Sequence, residues 1–104
     1  MIRTFKNQGT EDIFNGKDTK DARSTCPQDI WKVAIRKLDI LDSALVLQDL
    51  LVPPANRLEA LKGNREGQYS IRINDRYRIC FYWVELGTEI IERGAENVEI
   101  VDYH

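Results

Sequence analysis

Apolar and polar residues alternate twice along Gln68–Val84, QYSIRINDRYRICFYWV, around a short polar turn. In the first run Tyr69, Ile71 and Ile73 share one face and leave Ser70 and Arg72 on the other. In the second, Tyr77, Ile79, Phe81 and Trp83 share a face, opposite Arg78, Cys80 and Tyr82. Partners in an antiparallel hairpin lie on the same side of the sheet, so a two-residue turn would pair Ile71 with Arg78 and mix the faces. A loop of Asn74, Asp75 and Arg76 instead pairs Ile73 with Tyr77, Arg72 with Arg78 and Ile71 with Ile79. The patterning therefore predicts the three-residue loop. It also sets two arginines face to face. Like charges so placed repel unless an anion lies between them, both splay into water, or one pairs with Glu59, Glu66 or Asp75.

Elsewhere the period is helical or absent. Ile2–Phe5 reads as a short edge strand, and Thr10 as the N-cap of a brief helix through Phe14 that Gly16 stops. Residues 16–25 hold a single apolar side chain, Ala22, and read as a mobile connection. Thr25 before Pro27 starts the main helix, with Ile30, Ala34, Leu38, Leu41 and Leu45 at helical spacing. Asp42-Ser43 is a cap for a second short helix ending near Leu51, and Pro53-Pro54 forces an extended break. Residues 57–62 read as a strand, Gly63–Gly67 as a turn, Glu85–Asn97 as a polar connection and Val98–Tyr103 as a final strand. Helices first and strands after predict an α+β fold, helices on one face of a mostly antiparallel sheet and the other face open with Arg72 and Arg78 on it.

Length and composition bound this picture without changing it. The 104 residues are expected to form one domain with a core of its own. No apolar run reaches membrane-spanning length and Met-Ile-Arg-Thr-Phe has no signal-peptide form, so a cytoplasmic protein away from membranes is expected. Cys26 and Cys80 are too few for a disulfide framework, and with one histidine they give no zinc spacing. No metal or cofactor is expected. A net charge of −2 argues against a nucleic-acid binder, but its distribution does not. Arg57, Lys62, Arg65, Arg72, Arg76 and Arg78 crowd the centre, while Glu85, Glu89, Glu92, Glu96, Glu99 and Asp102 dominate the end. A basic sheet can bind an anion locally whatever the overall sign.

Glycine-rich phosphate loops, nucleophile elbows and paired-histidine metal motifs are absent from the sequence. The stretch PPANRLEALKGNREGQYSIRINDRYRICF, with the terminal VEIVDYH, does carry a pattern: it strongly resembles the HigB toxins of bacterial toxin–antitoxin systems, within the RelE/ParE superfamily. The resemblance implies two N-terminal helices on an antiparallel sheet and a metal-independent endoribonuclease that cuts messenger RNA in the ribosomal A site. It implies a cognate helix-turn-helix antitoxin of the HigA kind, with operator DNA reached only through that antitoxin. Lys62, in LKG, matches a basic residue near the scissile phosphate, and Arg78, in YRICF, matches the arginine that binds that phosphate. Asp102, Tyr103 and His104 match the terminal triplet of the active site. Where the pattern has a histidine shortly before the lysine, this chain has Glu59, which could serve as a base or pair with Arg72 or Lys62. Arg57, Arg65, Arg72 and Arg76 complete the expected RNA-binding set. A ParE-like toxin acting on DNA gyrase and a pure protein-interaction module are the alternatives.

Overall fold

The structure, a computed structural model, describes residues 1–103. Four antiparallel strands follow one another as a meander: β1 (Glu59–Ala60), β2 (Tyr69–Arg72), β3 (Tyr77–Glu85) and β4 (Arg93–Asp102). The β2–β3 register pairs Ile71 with Ile79 and Arg72 with Arg78, as the alternation requires. Asn74 explains the tight loop, its Oδ1 accepting from the backbone N–H of Arg76 at 2.9 Å and of Tyr77 at 2.7 Å.

Three α-helices cover one face: α1 (Gln8–Phe14), α2 (Lys20–Thr25) and α3 (Trp31–Ser43). Ala34, Leu38 and Leu41 form the buried stripe of α3 and join Ile13, Leu50, Ile71, Ile79, Phe81, Val98 and Ile100 in the core. Leu45, expected on that stripe, lies past the helix end and is exposed, while Trp31 begins α3 after a 3-10 turn over Gln28–Ile30.

Several boundaries depart from expectation for identifiable reasons. Asn7, not Thr10, caps α1; Thr10 is buried, and its Oγ1 accepts from Ile100 N at 3.0 Å, tying helix to sheet. The expected connection over residues 16–25 contains α2, capped by the Thr19 Oγ1 that accepts from Ala22 N. One buried alanine suffices there because Thr19 also donates to Asp12 of α1. The second short helix is a 3-10 turn, Leu47–Leu51, whose Asp49 accepts from Leu45 N and Val46 N. The strand expected over 57–62 shrinks to two residues, because Arg57 is left-handed at φ 46° and Lys62 leads into a 3-10 turn. Strand β4 starts at Arg93 rather than Val98, so the β3–β4 connection is shorter than expected. Ile2 and Phe5 make only isolated parallel bridges to β4.

Candidate functional site

Cross-strand rows organise the face turned away from the helices. Arg72 faces Arg78 and Arg78 faces Val101, while Glu59 faces Ser70, Ser70 faces Cys80 and Cys80 faces Glu99. The Arg72–Arg78 repulsion is relieved by the hairpin loop. Arg72 Nη2 pairs with Asp75, and Arg78 Nη1 donates to the Asn74 carbonyl at 2.6 Å. Asp75 is 94% exposed, so its ion pair is solvent-screened and worth about 1 kcal/mol at most. An arriving phosphate can compete for Arg72.

The expected open face is half covered. Ser70, Cys80 and Glu99 are all buried, although they point away from the helices. The segment Leu61–Gln68 folds back over them: Leu61 is buried, and Arg65 Nη1 donates to Glu99 Oε2 at 3.1 Å and to Gln68 Oε1 at 3.1 Å. Lys6 Nζ closes on Glu99 Oε2 from the other side at 3.3 Å. A carboxylate this buried needs both cations, and they in turn fix the cover. Burial lowers the Arg65 pKa, but the Glu99 hydrogen bond and the fields of Cys80, Glu99 and Tyr103 outweigh it and leave the pKa raised. Burial pushes the Cys80 thiol up to about 11.

The sequence-predicted residues separate into groups. Arg72, Arg78, Arg65 and Tyr103 gather on this face, Tyr103 held by its N–H donating to the Arg76 carbonyl at 2.7 Å. Glu59 and Lys62 are exposed at its β1 edge, and neither forms an ion pair among the described residues; Glu59 does not reach Arg72, which Asp75 holds. Arg57 is exposed at the end of the 3-10 turn Pro54–Asn56. Arg76 and Asp102 are tied to each other, Nε to Oδ1 at 2.9 Å and Nη2 to Oδ2 at 2.7 Å, with Arg76 also over the Tyr77 ring. Asp102 faces Tyr77, so its register assigns it to the helix side and not beside Arg78. His104 lies outside the described residues. Sequence reasoning missed Asn74 and Glu99: the first had a readable signal, Asx-turn chemistry in the loop, whereas Glu99 sits in a generally acidic segment. Among the described residues no group of three or more His, Cys, Asp or Glu is placed to hold a metal, and no helix is long and apolar enough to cross a membrane.

The profile of a family described as the RelE-like toxin of type II toxin-antitoxin system HigB matches residues 3–104. Toxin HigB-1 of Vibrio cholerae is 42% identical over 85 residues, covering 82% of this chain and 86% of that protein. Endoribonuclease HigB of Proteus vulgaris is 31% identical over 105 residues, covering 100% of both chains. A solved YoeB-YefM complex from Staphylococcus aureus contains a chain that aligns with a TM-score of 0.49 at 15% identity, covering 100% of this chain and 98% of that one.

Proposed function

The chain belongs to the HigB-like toxins of type II toxin–antitoxin systems, and from that membership we propose that it is an endoribonuclease that cuts messenger RNA and so inhibits translation. The observation that carries the chemistry is the Arg72–Arg78 pair, two arginines directly opposite each other across β2 and β3 on the face turned away from the helices. RNA can be cut without a metal when its own 2′-hydroxyl attacks the adjacent phosphorus in line. The new O–P bond forms as the 5′-oxygen leaves, giving a cyclic phosphate. The protein must remove one proton, supply another and stabilise the charge on the phosphoryl oxygens.

Arg78 presents a planar fork able to hold two of those oxygens, and its anchor on the Asn74 carbonyl fixes one side of it in advance. Arg72 provides the neighbouring charge, and Lys62 a third from the β1 edge. Tyr103 supplies a ring for a base to stack on or a hydroxyl for the phosphate. His104 is the proton carrier by its chemistry, since imidazole changes charge near neutral pH. Glu59, a carboxylate that forms no ion pair among the described residues, is the second group able to take the 2′-hydroxyl proton. Arg65 and Arg76 have structural duties, to Glu99 and Asp102, and with Arg57 contribute mainly positive field.

As a toxin of this class the chain has an antitoxin partner. We propose that the antitoxin is a helix-turn-helix protein through which operator DNA is reached, and that cleavage takes place on the ribosome in the cytoplasm. The deciding experiment adds purified protein to a reconstituted translation system and maps new messenger 5′ ends with and without ribosomes. Discrete cuts that need ribosomes are expected. Arrested growth with intact messenger would overturn the nuclease reading and favour a gyrase-directed toxin.

A further inference from the structure

Between α3 and the tip of the β2–β3 hairpin lies a cleft of about 470 Å³, whose lining includes Arg36, Lys37, Arg57, Arg72 and Asn74. Among the described residues no carboxylate lines it. Among the described residues Arg36 and Arg57 form no ion pair, and Arg72 has only the solvent-screened Asp75. Lys37 stands out. It is 6% exposed, and its Nζ donates to a neutral acceptor, Asn56 Oδ1, at 2.6 Å. Asn56 is itself fully buried and bound to the Leu50 and Val52 carbonyls, so the ammonium is held in place. An ammonium has three protons to donate, and a charge buried this far ordinarily has an opposite charge beside it. Burial first, and Arg36 second, hold its pKa below that of an ordinary lysine.

The cleft adjoins the candidate site. Arg72 lines it and faces Arg78, while the Asn74 carbonyl that anchors Arg78 belongs to another lining residue. A strand with one phosphate on Arg78 can therefore reach the cleft by way of Arg72. We infer that this cleft is a second phosphate site, taking a phosphodiester that flanks the scissile one, with Lys37 as its floor and Arg36 and Arg57 at its rim. RNA as the ligand rests on the nuclease reading above. Lys37 and Arg36 become positioning residues, contributed by the main helix rather than by the strands and turns that carry the remaining candidates.

The test measures binding of a short single-stranded RNA, 2′-O-methylated so that it cannot be cut, across a range of salt concentrations. Lys37→Met keeps side-chain volume and removes the charge. Arg36→Gln leaves the buried Lys37–Asn56 contact intact and keeps the test valid if the first variant folds poorly. Each is expected to weaken binding roughly 5- to 10-fold at low salt and to flatten the slope of log K against log salt by about 0.7, the share of one phosphate on a single strand. Wild-type affinity and slope in both variants, with binding lost only in Arg78→Ala, would overturn the second site and leave the nuclease reading standing. If both variants instead lose affinity for the antitoxin and none for RNA, the cleft receives an acidic protein segment and the inference falls. A wild-type protein that binds the strand through Lys37 yet cuts no messenger would keep the subsite and lose the nuclease.

Discussion

Arg78 is the residue on which the proposed chemistry depends most, and its replacement separates chemistry from folding. Arg78→Ala removes one hydrogen bond to the Asn74 carbonyl from a loop that Asn74 Oδ1 still closes, so the fold should survive. Loss of charge stabilisation at a transferring phosphoryl group costs about 3 kcal/mol in barrier, or roughly 100-fold in cleavage. Arg72→Ala should cost less, because its role is a neighbouring charge, and should act more on binding than on rate. Single-turnover cleavage of ribosome-bound messenger checks both; a folded Arg78→Ala protein with wild-type rate would remove this residue from the mechanism. At the same scale His104→Gln should flatten the pH dependence of cleavage around neutrality, and an unchanged profile would shift the proton transfer to Glu59. Alternation alone sufficed to place Arg72 opposite Arg78. The commitments of Arg65 and Arg76 were not legible, because their carboxylates lie 34 and 26 residues away and are brought close only by β4.

At the scale of elements, α1 and α2 are joined through one carboxylate. Asp12 accepts from Gln8 Nε2 at 2.8 Å and from Thr19 Oγ1 at 2.6 Å, and Thr19 caps α2 with the same hydroxyl oxygen. The Thr19 hydrogen bond first, then that from Gln8, hold the Asp12 pKa below the ordinary carboxylate value. A depressed folded-state pKa means stability that is complete above the ordinary value, near 4, and is lost as pH falls through the lower folded value. Thr19→Ala should cost about 1 kcal/mol at neutral pH through the cap alone. It should also reduce the acid sensitivity of urea unfolding below about pH 4, relative to wild type. Equal acid sensitivity in the two proteins would show that Asp12 does not couple the helices. This joint explains why α2 escaped the periodicity: an element with one buried side chain, Ala22, is specified by caps and a carboxylate from another helix, not by an apolar stripe. The main helix and the hairpin, whose apolar faces are long, were legible for the opposite reason.

Across the whole molecule the two sides of the sheet are protected unequally, and the cysteines report on each. Cys26 belongs to the core under the helices, whereas Cys80 lies outside it, on the far face beneath the Leu61–Gln68 segment. Burial pushes both thiols up to about 11, with Trp31 partly offsetting it at Cys26 and Arg65 partly offsetting it at Cys80. Raised folded-state values mean that their contribution to stability is complete below about pH 9 and is lost as pH rises towards 11. At pH 8 both should therefore react slowly with iodoacetamide, since the thiolate is the nucleophile and each must first be uncovered. What must open differs. For Cys26 it is a packed helical layer; for Cys80 it is a turn held by buried Leu61 and by the Arg65 and Lys6 pairs to Glu99, in which Lys6 is half exposed and screened by salt. Cys80 should be labelled before Cys26, and raising the salt from 0.05 to about 0.5 M should speed Cys80 while leaving Cys26 tied to global unfolding. Peptide mass spectrometry over a labelling time course resolves the two sites. Equal rates at every salt concentration would mean that the cover opens only with the whole fold, so that the RNA-facing surface is as rigid as the core behind it.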